Sequence, residues 1–130
     1  LQLQNCILSF VDELASNGIE EANRLFKLKE YNASAISAFR YLEEYIRKFT
    51  IDSYKYNRPY YLSVMLQTLC QQDIIHNISD AEIKKYISLR NELVHTNVSI
   101  TKSHASNVIN FVKRIEKEIT LYNNQITSNE

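Results

Sequence analysis

The sequence predicts an all-α protein, a single up-and-down bundle of about five helices, on three observations. The 130 residues include one glycine, Gly18, and one proline, Pro59, where average usage would give roughly 16 of the two together. Sandwiches and barrels built from hairpins need many residues at positive φ, which one glycine does not supply. Apolar residues recur at steps of three and four along most of the chain, the spacing of a helix that buries one face. With 45% apolar and 23% charged residues, a chain of this length has the balance of one domain around one core.

A first helix is expected over 3–15, where Leu3, Ile7, Phe10, Val11 and Leu14 share a face and Ser16-Asn17-Gly18 supplies a stop. From Ile19 to about Lys29 a shorter pattern runs through Ala22, Leu25 and Phe26, and a longer one follows on Ala35, Phe39, Leu42, Ile46 and Phe49. This reads as one long helix or a helix pair with a break near residue 31. Residues 50–58 are polar, rich in tyrosine and without a stripe, so a loop is predicted there. Pro59 suits the first position of the next helix, where its missing N–H costs nothing, and Leu62, Met65, Leu66 and Leu69 line one face behind it. After an apolar connector at 74–78, Ser79-Asp80-Ala81-Glu82 has the form of a capping box and opens a helix over 80–94. Residues 96–100 are polar and β-branched, a connection. From about Lys102 a last helix carries Ala105, Val108, Val112, Ile115, Ile119 and Tyr122, and 123–130 is expected to fray. The resulting organisation is one domain over 1–130, with an N-terminal helix at 1–18, a core at 19–122 and a tail. The chain opens on Leu1 rather than Met, as a processed product or a domain of a longer protein would.

The glycine shortage also excludes chemistries. Phosphate loops, dinucleotide fingerprints and nucleophile elbows each need two or more glycines within a few residues, and none is present. Cys6 and Cys70 form no Cys-x-x-Cys, and His76, His95 and His104 lack His-Glu-x-x-His spacing, so neither a structural zinc nor a zinc protease is expected. No cofactor is called for. The cysteines read as buried thiols of a reducing compartment, the cytoplasm. No run reaches the roughly 18 apolar residues of a membrane span, and no signal pattern opens the chain.

Formal charge balances at 15 against 15, but unevenly. Residues 1–44 carry a net −3, whereas 81–114 carry +4 from Lys84, Lys85, Arg90, Lys102, Lys113 and Arg114 against Glu82 and Glu92. Within that basic stretch, Ile83, Tyr86, Ile87, Leu93 and Val94 cluster on one side of the expected helix, with Arg90 near the middle. An arginine there is costly unless it is paired. One reading is an ion pair with Glu43 or Glu44 across the bundle, or a stem that snorkels to the edge. The other is a face turned to a cleft or a second subunit, where a planar cation holds phosphate. His95 lies about 140° around the helix from Arg90, so one helix does not aim both at one spot. At a helix C-terminus the macrodipole favours its imidazolium form. His76 and His104 read as surface groups, and the tyrosines at 54, 56, 60 and 61 as core edges more readily than as stacking platforms.

Arg90-Asn91-Glu92-Leu93-Val94-His95 is an Arg-x4-His element, with Asn after the Arg, near the end of the penultimate helix and before a long amphipathic one. In this the chain resembles the HEPN domains, over about residues 19–122. Leu25-Phe26, Tyr31, Ala35 and Leu42-Glu43 are similar to the first long helices of that family. The resemblance implies a metal-independent endoribonuclease acting on RNA as a homodimer, with Arg90 and His95 catalytic and Asn91 their polar neighbour. It implies a toxin or defence setting, with an antitoxin or an attached sensor domain as partner. Lys84, Lys85 and Lys102 are then candidates for RNA contact. Position 97 is Asn, whereas some HEPN toxins carry a Tyr two residues after the His, so regulation through that Tyr is not expected. The alternative is a non-catalytic HEPN-like dimerisation or interaction module of a larger protein.

Overall fold

The computed structural model describes residues 19–54 and 61–128, and every regular element among them is helical. They are α1 (19–27), α2 (Tyr31–Tyr54), α3 (Leu62–Gln71), α4 (Asp80–His95) and α5 (Lys102–Ser128). The all-α bundle is what the sequence predicts. The long helices α2 and α5 pack most extensively, and α4 lies against both α2 and α3. Phe39, Leu42 and Ile46 of α2 meet Val108, Phe111, Val112, Ile115 and Ile119 of α5 in one core, which Leu66 and Leu69 of α3 extend. The helix expected over 3–15, with Cys6, lies outside the described residues.

Non-glycine residues end two of the helices. Lys29 takes φ 64° after α1, and Asp73 takes φ 61° after α3. Around the first, Lys29 N–H donates to Phe26 O at 3.0 Å and Glu30 N–H to Leu25 O at 2.9 Å. The second repeats the pattern with Asp73 N–H to Cys70 O at 3.1 Å and Ile74 N–H to Leu69 O at 2.9 Å. Both are Schellman motifs, and Ile74 and Leu69, both fully buried, make the apolar contact that accompanies one. The break near residue 31 therefore falls at 28–30, and two helices form. Buried Ser34 ties them together by donating to Ala22 O at 2.7 Å.

Three boundaries differ from the sequence reading. The loop expected over 50–58 is helical through Tyr54, with 55–58 outside the described residues. Nothing between 50 and 54 breaks a helix, and extending a nucleated one by a turn costs little. For the same reason α5 continues past Tyr122 to Ser128, through the tail expected to fray. The helix expected to open at Pro59 begins at Leu62, with Tyr61 as its extended first cap at ψ 151°. α4 starts as predicted: Ser79 Oγ accepts from Glu82 N–H at 3.1 Å. The Glu82 carboxylate turns to Arg114 of α5 instead, and Arg114 also donates to Asn77 O at 3.1 Å.

Candidate functional site

On α4, Ile83, Tyr86 and Leu93 are buried, and the steps from 83 through 86 to 93 pass through Arg90. The arginine thus occupies the packing stripe of its helix, where an unneutralised charge would be expensive. Glu43 of α2 meets it: Arg90 Nη2 lies 3.0 Å from Glu43 Oε1, with the Glu43 side chain 14% exposed and Arg90 30%. Glu44, the next residue, is exposed. Arg90 Nη1 also donates to Asn91 Oδ1 at 3.3 Å. On the other side of the carboxylate, one helical turn along α2, Arg47 stands 3.9 Å from Glu43. Two guanidiniums therefore flank one acid. Val94, assigned by the sequence to the apolar cluster, is 50% exposed.

The ion pair borders two depressions. One, a space of about 550 Å³ partly open to solvent, is lined by Glu43, Arg47, Tyr61, Leu62, Ser63, Ile87, Arg90 and Asn91. The other, about 480 Å³, is lined by Ile36, Phe39, Arg40, Glu43, Arg90 and Val94. Arg90 and Asn91 are thus brought together at an accessible cleft between α2, α3 and α4.

His95 is exposed on the last turn of α4 and lines neither depression. Its backbone is nonetheless fixed. Thr96 closes the helix, its N–H and its Oγ1 both donating to Glu92 O, at 2.9 and 2.7 Å. Asn32 at the start of α2 then grips the following loop, donating from Nδ2 to Val98 O at 2.5 Å and accepting on Oδ1 from Ile100 N–H at 2.9 Å. The divergence of Arg90 and His95 that helix geometry predicts is present within one chain.

The lysines lie elsewhere. Lys84 pairs with Asp80 at 3.0 Å, Lys85 stands 5.5 Å from the centroid of the neighbouring Tyr86 ring, and Lys102 is exposed at the first position of α5. None lines the cleft that holds Arg90. His76 lies 3.7 Å from Asp73, and its N–H donates to Glu118. Burial, with Asp80 and Glu118 nearby, pushes the Cys70 thiol up, away from nucleophilic chemistry at neutral pH. Among the described residues no group of His, Cys, Asp and Glu is placed to hold a metal ion. Nor, among them, is any helix long and apolar enough to cross a membrane.

The sequence reading missed Arg47, Asn32 and the placement of Tyr61. Arg47 had a signal, since it follows Glu43 by four residues on one helix face. The other two had none, because each depends on which elements meet. Comparison with protein-family models, with curated proteins and with solved structures finds no match for this chain.

Proposed function

We propose that the chain is a metal-independent endoribonuclease of the HEPN type that cleaves RNA at a cleft shared by two copies, in a cytoplasmic toxin or defence setting. The observation that carries this reading is a guanidinium on a packing stripe that still opens to a solvent-accessible cleft, five residues before an exposed histidine on the last turn of the same helix. Cleavage by the RNA's own 2′-hydroxyl needs a base for that proton, a cation for the oxygens of the phosphorane, and an acid for the departing 5′-oxygen. His95 in its neutral form accepts the 2′-hydroxyl proton as O2′ bonds to phosphorus. The P–O5′ bond breaks and O5′ takes a proton from the imidazolium of the second copy, leaving a 2′,3′-cyclic phosphate and a 5′-hydroxyl. Arg90 holds the phosphate oxygens, and Asn91 orients Arg90. A two-fold axis beside α4 brings together the pair that one helix holds about 140° apart. DNA lacks the nucleophile and is not cut. An antitoxin or an attached sensor domain would act by covering this face.

The test is RNA cleavage in the presence of a chelator by the parent, Arg90→Ala and His95→Ala proteins, each checked for fold by circular dichroism and for dimer by sedimentation. Loss of at least a hundredfold in both variants, with cyclic-phosphate ends from the parent, supports the reading. Variants that cut as well as the parent end it.

One observation favours a second reading, a non-catalytic HEPN-like dimerisation or interaction module. Arg90 is engaged with Glu43 at 3.0 Å, so the pair also serves as a plain structural link between α2 and α4. That reading expects no cleavage from any form and a loss of about 1–2 kcal/mol of stability in Arg90→Ala.

A further inference from the structure

The two depressions that border the Arg90–Glu43 pair differ in how far along α4 they reach. The one of about 480 Å³ lies between Ile36, Phe39, Arg40 and Glu43 of α2 and Arg90 and Val94 of α4. Val94 directly precedes His95, so this depression reaches the turn that carries the histidine, whereas the other stops at Asn91. Ile36 is partly buried, Phe39 buried and Val94 half exposed, which makes one side of it apolar.

Its charges differ in what they are free to do. Arg90 and Glu43 cancel across 3.0 Å, and Asn91 engages a further N–H of the guanidinium. Turning the whole of Arg90 to a ligand would break an ion pair to a carboxylate only 14% exposed, an expensive step. Arg40 has no such tie. It shares a face of α2 with Ile36 and Glu43, at steps of four and three, and it is exposed. Among the described residues no hydrogen bond or ion pair engages its side chain. Arg40 therefore gives this depression one uncommitted positive charge with five N–H donors. That is the complement of one phosphodiester, which a guanidinium holds through two parallel hydrogen bonds. The apolar wall beside it suits the rings of the attached nucleotide.

We infer that Arg40 is a phosphate-binding residue of the RNA site, holding the strand in the depression beside the turn of His95. This rests on the ribonuclease reading and adds to it a cation on α2, outside the Arg-x4-His motif. Arg40 grips the strand before reaction begins, and Arg90 meets the charge that develops on the phosphorane. Arg40 thus acts on binding and not on the chemical step.

The experiment measures fluorescence anisotropy of the full chain with a 2′-O-methyl oligonucleotide, which cannot be cleaved, over a range of salt concentrations, alongside cleavage kinetics on the ribo-oligonucleotide and sedimentation. Arg40→Gln should lower the slope of log Kd against log salt by about 0.7, one single-strand phosphate contact. It should weaken binding about threefold at 0.1 M salt, the scale of one exposed ion pair, and raise KM with kcat unchanged. Arg40→Lys, which keeps the charge, should retain the parent slope. Lys117→Gln, which removes an exposed charge from α5, should also leave the slope as it is. Equal changes in Arg40→Gln and Lys117→Gln would reduce Arg40 to a share of the overall charge and overturn the inference. An unchanged slope in Arg40→Gln, with or without a weaker dimer, overturns it too and leaves the nuclease standing if the parent cuts RNA. A parent that cuts no RNA overturns both.

Discussion

Arg90 is the residue on which the two functional readings part. Its stem lies on the buried stripe of α4 and its head meets Glu43, a side chain only 14% exposed. Removing the acid while keeping its shape separates the roles. In Glu43→Gln the guanidinium loses its counter-charge but not its place, so thermal stability should fall by about 1 kcal/mol, read as a drop of several degrees in Tm. If Arg90 holds phosphate, the same variant should bind a 2′-O-methyl RNA strand more tightly, since the cleft gains a positive charge. A structural link alone gives the first effect without the second. An arginine amid Ile83, Tyr86 and Leu93 was visible in the sequence as an anomaly needing a partner, and the acids at 43 and 44 were visible as candidates. Choosing between them needs the rotation of α2 about its axis, which the core on Phe39, Leu42 and Ile46 sets.

At the scale of elements, periodicity located all the helices described, because a helix that buries one face must repeat its apolar residues at about 3.6. The start of α4 was legible to the residue, since Ser79 followed by Glu82 has a local meaning. Helix ends were less so. The α1 terminus relies on Lys29 at φ 64°, a conformation the sequence does not announce because lysine is not a favoured residue there. Replacing it tests the account: Lys29→Gly should raise stability by up to about 1 kcal/mol, seen as a higher urea midpoint at constant m, since the left-handed conformation no longer crowds a Cβ. The ends of α2 and α5 were read short because a polar stretch carries no stripe, yet lacks anything that stops a helix. The cleft was illegible for a different reason: it is made where α2, α3 and α4 meet, and Tyr61 enters it through tertiary packing alone.

For the whole molecule, the interior fixes a response to alkaline pH. Burial raises the phenol of Tyr41 above its ordinary range, aided by its hydrogen bond to the Glu116 carboxylate. Burial likewise raises Tyr86, stacked at 4.2 Å on Phe111, with Glu82 adding and Arg114 opposing. Cys70 is raised in the same way. Each group holds its proton in the folded state beyond the pH at which the unfolded chain gives it up, so the unfolded state binds fewer protons and stability falls as pH rises. Stability should be level below the ordinary thiol and phenol values of 9.0 and 10.0 and decline above them. Urea midpoints from pH 7 to 11, followed with tyrosinate absorbance, should show the decline and a cooperative burst of ionisation on unfolding. A flat profile to pH 11 would contradict the burial of these rings.

The grip of Asn32 on Val98 and Ile100 spans 66 and 68 residues of chain. During synthesis the anchor therefore leaves the ribosome well before the segment it secures, and the backbone after His95 has a waiting receptor as soon as it emerges. The path of the chain out of α4 is thereby tied to prior docking of α2. A fragment of α4 and α5 alone would carry the whole Arg-x4-His sequence and still lack the clasp on the loop that follows it.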